Sequence, residues 1–245
     1  MLNSKKIAAL ALLSVSLLGT GTTRAQATPT AAPASVNAAR FPSLAFTPSN
    51  TALLLIDFQV GTVQLIRNRP PAEVLHNGVT LAKMAKILNI PTVITSSLES
   101  NGFQGPVTPE LGAVLPKEFD ARIQRKGEVD AFTAPAFAAA VKATGKKNLI
   151  IAGVTTDVCL VHMVQRAEAM GYNVQVVVDA AGSNSDVSEQ IALDTIRASG
   201  ASLTTIPQLV SGLAGNWGVK PGSDLLNLLT SDYQQYIIEH PGFYK

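Results

Sequence analysis

Residues 148–160 read NLIIAGVTTDVCL. The opening run, 148–152, is apolar and unbroken after Asn148, and is too short for a helix, so it reads as a strand with neither face in water. Gly153-Val154-Thr155-Thr156-Asp157 then turns the chain. Leu160, Met163, Val164 and Ala167 follow at helical spacing, so a helix is expected over 158–170, stopped by Gly171. A strand without polar alternation, followed at once by an amphipathic helix, is the unit of a parallel sheet covered on both sides. Two more runs share this character: TALLLI (51–56), ending at Asp57, and NVQVVV (173–178), ending at Asp179.

The remaining segments fit between them. After Pro70-Pro71, the residues Val74, Gly78, Leu81, Ala85 and Leu88 mark a helix, and a short strand over 92–95 follows Pro91. A long loop over 97–108 carries Gly102, Gly105 and Pro106. A third strand is read over 121–125 and a helix over 132–143, with Gly145 at its end. Asp186 and Glu189 form a capping-box pattern for a helix over 187–199. A last strand over 201–205 and a helical tail over 222–240 complete the chain. Strands alternating with helices define an α/β fold, a parallel sheet with helices on both faces. Ligands in such folds bind beyond the carboxyl ends of the strands. Asp57, the Arg125-Lys126 pair, Cys159 and Asp179 all fall at such ends.

The first 27 residues have a different logic. Lys5 and Lys6, an apolar run over 7–18 and a small-residue stretch ending Ala25-Gln26-Ala27 make a secretory signal pattern. The run is short of the roughly 20 apolar residues that span a bilayer. Cleavage is expected after Ala27 or Ala25, giving a periplasmic or secreted protein with no membrane attachment. The cut removes Lys5, Lys6 and Arg24 and no acid, so 19 basic residues become 16 against 17 acidic ones, a net charge of −1. The basic character therefore belongs to the leader, and nucleic-acid binding is not expected. Residues 28–40 (TPTAAPASVNAAR) hold little to bury and read as a disordered linker, leaving 41–245 as one domain.

Cys159 is the one cysteine in the sequence, so no internal disulfide can form. Placed in the first turn of the helix expected after the strand, its thiol should be acidified by the helix N-terminus and serve as a nucleophile. The amides of the strand-to-helix turn would then face a developing oxyanion. A buried structural cysteine is the competing reading. Asp57, after five apolar residues, reads as a general base for that thiol or as the cap of the next turn. Arg125 or Lys126 would supply a fixed cation that keeps both groups charged. Strand alternation admits only one of the two to the site, and a solvated surface pair is the alternative. His162 can tune the thiol or simply face solvent, while His76 and His240 sit apart from it. No zinc-ligand spacing, phosphate-binding glycine loop or Gly-x-Ser-x-Gly elbow occurs, so neither metal nor cofactor is expected and the partner is a small-molecule substrate.

The segments LLLIDFQ (53–59), RKGEVDAF (125–132), ATGKKNLIIAGVTTDVCL (143–160) and VQVVVDAAG (174–182) together resemble the isochorismatase-like cysteine hydrolases. The resemblance runs from about Asn50 to Thr205 and extends through Trp217. It implies a three-layer sandwich around a six-stranded parallel sheet of order 3-2-1-4-5-6. It also implies a catalytic triad whose Asp and Cys fall on Asp57 and Cys159. The cationic member falls on Lys126 by the wider family's spacing, or on Arg125 by that of one branch, which the 143–154 stretch favours. A non-proline cis peptide is implied between Val154 and Thr155, aiming the Thr155 and Cys159 amides at one oxyanion. Homo-oligomers are common in that branch. Family members that hydrolyse nicotinamide carry metal-binding histidines where this chain has Thr95-Ser96-Ser97-Leu98-Glu99, which argues against that activity. The expected reaction is hydrolysis of a small amide through a thioester on Cys159. The alternatives are a non-covalent hydrolase, a silent periplasmic binding or stress protein, and a redox sensor.

Overall fold

A computed structural model describes residues 45–100 and 102–241. The expected signal segment (1–27), linker (28–40) and outermost residues of the domain lie outside the described residues.

Strand β1 (Thr51–Ile56) is buried at all six positions. It pairs in parallel with β2 (Thr92–Ser97) on one side and with β4 (Asn148–Val154) on the other. The strand β3 (Ile123–Arg125) lies beyond β2, while β5 (Asn173–Gly182) and β6 (Ser202–Thr204) extend the sheet past β4. The order is therefore 3-2-1-4-5-6, all parallel. Alternation along β1 divides its side chains between two cores. Leu53 and Leu55 join Val74, Leu81 and Met84 of α1 (Pro71–Leu88). Ala52, Leu54 and Ile56 join Phe137 and Val141 of α4 (Pro135–Ala143) and Met163 and Val164 of α5 (Val161–Ala169). Each fully buried leucine here contributes about 1.5–3 kcal/mol.

On the α1 face, α7 (Ile206–Ala214) and α8 (Gly222–Leu228) complete the cover, followed by a π-helical stretch Leu229–Gln234 and α9 (Gln235–Glu239). On the other face α6 (Asp186–Ala198) lies beside α5. Two short helices, α2 (Pro109–Val114) and α3 (Pro116–Asp120), lead into β3. The sequence reading assigned no helix to α2, α3 or α7. Pro109, Pro116 and Pro207, each in a first helical turn, were the available signal.

Three sequence expectations change. The helix expected over 132–143 is two pieces, a 3-10 turn Ala131–Thr133 and then α4, because Pro135 cannot continue a helix but can start one. The cap of α6 is Ser185, whose hydroxyl accepts the Ser188 N–H at 3.1 Å, so Asp186 is already helical and Glu189 instead accepts from the Ser183 hydroxyl at 2.7 Å. Asp179 lies inside β5 rather than beyond it. The register of β5 on β4 jumps from Ile151↔Val176 to Gly153↔Ala181, a bulge that changes which residues face which core. Val176 and Ala181 pack on the α5 side, Val177 and Ala180 on the α1 side.

Candidate active site

The carboxyl ends of β1, β3 and β4 bring three expected residues together. Asp57 follows β1 with a left-handed backbone (φ 56°), uncommon outside glycine, which turns the chain away from the sheet. Its N–H still bonds to Thr95 O at 3.0 Å, so the carboxylate starts from a fixed point. Arg125 ends β3, paired in register with Ser97, and alternation points its side chain inward. Its Nη2 donates to both oxygens of Asp57, at 2.5 Å for Oδ2. Both side chains are completely buried. Lys126, next along, is exposed, and its backbone N–H bonds to Glu128 Oε2. Lys126 therefore drops out of the candidate set, and Arg125 takes the cationic place.

Cys159 reaches the pair from a π-helical turn, Thr156–Leu160, between β4 and α5. The Leu160 N–H closes on Thr155 O at 3.1 Å, an i to i+5 bond. The helix expected to begin near 158 thus begins at Val161, and the cysteine sits in a widened turn ahead of it. The expected cis bond between Val154 and Thr155 is present. The thiol is near enough to Asp57 and Arg125 for both to act on its acidity. Its acidity runs opposite to expectation. Burial pushes the Cys159 thiol well above its usual range, the Asp57 charge and hydrogen bond push it further, and Arg125 opposes them. Burial also pushes the Asp57 carboxyl up, against the charge and hydrogen bonds of Arg125 and the thiol. A raised carboxyl is a stronger base, and a raised thiol is a proton donor at rest.

The guanidinium is held from several sides. Its Nε donates to Thr95 Oγ1 at 3.1 Å and its Nη1 to the Glu128 carbonyl. The segment after Asp57 is also clipped at both ends. Gln59, fully buried, accepts from Ser97 N at 2.8 Å and donates to Ser97 O at 2.9 Å and Gly105 O at 2.6 Å. That ties Gly105 and the end of β2 to the segment after β1. At the far end, Asn68 Oδ1 accepts the Ser183 N–H at 2.8 Å, just past Gly182, which pairs with Val154. Sequence reasoning assigned no role to Thr95, Gln59 or Asn68. A glutamine three residues beyond a buried strand was the one available signal.

The other candidates stand apart. His162 is exposed on α5, and His76 stacks on Tyr236 with ring centroids 3.9 Å apart. Asp179 turns away from the thiol and accepts the Ile206 N–H at 3.0 Å, capping α7. Among the described residues, no group of three or more His, Cys, Asp or Glu is placed to hold a metal ion. Nor is any described helix long and apolar enough to cross a membrane.

A parallel sheet of order 3-2-1-4-5-6 covered by helices on both faces, with an acid, a guanidinium and a cysteine gathered at the carboxyl ends of its strands, defines the class as a three-layer α/β fold with a candidate site at that edge. The family profile of the isochorismatase domain matches residues 51–208, and the chain belongs to that hydrolase family. It is 38% identical over 169 residues to the probable hydrolase YcaC of Escherichia coli K12, covering 69% of this chain and 80% of that protein. Among solved structures, YcaC from Pseudomonas aeruginosa, with hexane-2,5-diol and covalent acrylamide, is 34% identical with a TM-score of 0.73. The match covers 82% of this chain and 97% of that one. YcaC from Escherichia coli, described as an octameric hydrolase of unknown specificity, is 35% identical with a TM-score of 0.71, over 80% and 96% of the two chains.

Proposed function

We propose that the chain is a cysteine hydrolase of small, non-peptide amides that works through a thioester on Cys159. The observation that carries this reading is the fully buried Arg125–Asp57 ion pair at the same strand ends as Cys159, with both charges acting on the thiol. Asp57 takes the thiol proton as sulfur bonds to the substrate carbonyl carbon. The Thr155 and Cys159 amides receive the oxyanion. The C–N bond breaks, and the leaving amine takes the proton from Asp57. Water, deprotonated by Asp57, then attacks the thioester, and the acid leaves as the proton returns to sulfur. Arg125 holds Asp57 in place and in its charged form. The covalent acrylamide in the Pseudomonas YcaC structure supports a nucleophile within this group of proteins.

The test is a screen of small amides with mass analysis of the enzyme under turnover. An adduct on Cys159 with the mass of the acyl group is expected, together with loss of turnover in Cys159→Ala. Turnover by Cys159→Ala would refute the mechanism. One observation favours a second reading. A thiol held high by burial and by Asp57 suits non-covalent hydrolysis, in which Asp57 acts alone on substrate or water. In that case no adduct forms and Cys159→Ala stays active.

Two further parts belong to the proposal. The leader pattern supports export, so the N-terminus of protein recovered from the periplasm should begin after Ala27 or Ala25. The octameric Escherichia coli relative supports a homo-oligomer, which light scattering would size.

A further inference from the structure

We propose that Thr95 is a positioning residue, whose hydroxyl fixes the rotation of the Arg125 guanidinium and so the direction from which Asp57 meets Cys159. The inference rests on the cysteine-hydrolase reading. A guanidinium has five N–H donors in one plane, so fixing its two ends fixes the whole. In Arg125, Nη2 is committed to Asp57, Nη1 to the Glu128 carbonyl and Nε to Thr95. Glu128 lies in the loop after β3, whereas Thr95 lies within β2, so Thr95 is the anchor borne by the sheet.

The hydroxyl can play only one part toward Arg125. A threonine has a single O–H, and that of Thr95 is directed at Ile123 O at 2.7 Å. Its lone pairs are left to accept from Nε. Thr95 is fully buried and stands beside Ile123 in register, so water does not replace it without a rearrangement of the strands. A chain of hydrogen bonds thus runs from the β3 backbone through Thr95 and Arg125 to Asp57, whose charge acts on the thiol.

The experiment is the pH profile of Cys159 alkylation by iodoacetamide in Thr95→Val, Thr95→Ser and Asp57→Asn, with circular dichroism to verify folding. Valine keeps the shape and removes the acceptor, leaving Nε–H unpaired. The loosened guanidinium then shields sulfur from Asp57 less well, so the Thr95→Val inflection should move to higher pH. Each unit of movement slows alkylation about tenfold at a fixed pH below the inflection. Thr95→Ser should overlay the wild type. Thr95→Ala provides the same loss of acceptor should the valine variant fail to fold. A folded Val or Ala variant with a wild-type profile, or a Ser variant with a displaced one, would overturn the proposal, even if thermal stability had fallen. If Asp57→Asn shifts the profile while Thr95→Val does not, only the role of Thr95 falls. If Asp57→Asn shifts nothing, the coupled-site reading falls with it.

Discussion

Asp57 and Asp179 make a natural pair. Each follows an apolar run in the sequence, each is buried, and burial pushes both carboxyls above the usual range. Their partners differ. Asp179 accepts a backbone N–H at the start of α7 at 3.0 Å and the Tyr233 hydroxyl at 3.4 Å, so its carboxylate is tied to a helix end. Asp57 faces a guanidinium that cannot lose its proton and a thiol that can. A buried acid at the edge of a sheet is thus a helix cap or a candidate base according to the groups it faces. Burial alone does not separate the two.

Substitutions that keep shape and remove charge should divide the pair. The largest effect is expected in turnover of an amide found by screening. Asp57→Asn should lower it by about 10²–10⁴-fold, the usual contribution of a general base. Asp179→Asn should leave it within a few-fold, and comparable losses at both positions would erase the distinction. Stability comes next. Arg125→Ala strands the fully buried Asp57 charge and should cost about 3–5 kcal/mol in urea unfolding. Arg166→Ala breaks a half-exposed ion pair with Asp130 and should cost no more than about 1 kcal/mol. Asp179→Ala removes the α7 cap and should cost about 1–2 kcal/mol. The smallest effect is expected at Lys126→Ala, which should stay within about 0.5 kcal/mol of wild type with turnover unchanged. A Lys126→Ala variant as impaired as Arg125→Ala would reopen the choice of cation.

Much of this contrast was hidden in the sequence for identifiable reasons. The sheet was legible because β1, β4 and β5 are unbroken apolar runs separated by helical periodicity. The isochorismatase-like motifs located Asp57, Cys159 and the turn between Val154 and Thr155. The choice of Arg125 over Lys126 was favoured only by the branch motif and not by strand periodicity. The strand β3 has only three residues, and a pattern that short does not fix which face is inward. Asp179 was placed beyond its strand because a bulge leaves no mark in an apolar run. The acidity of the thiol was misread because a local rule, the helix N-terminus, was applied without the burial that only tertiary packing supplies. Thr95, Gln59 and Asn68 act through residues from 30 to 115 positions away, a separation over which no local pattern carries information.

The most direct measurement is the pH dependence of Cys159 alkylation in wild type and in Asp57→Asn. The account predicts a wild-type inflection above the ordinary thiol value of about 8.5. Asp57→Asn removes the neighbouring negative charge and leaves Arg125 facing sulfur, so its inflection should fall and alkylation at neutral pH should quicken, although turnover is lost. Identical profiles in the two proteins, or an ordinary wild-type inflection that ignores Asp57, would contradict the account, because the acid and the thiol would then not form one site.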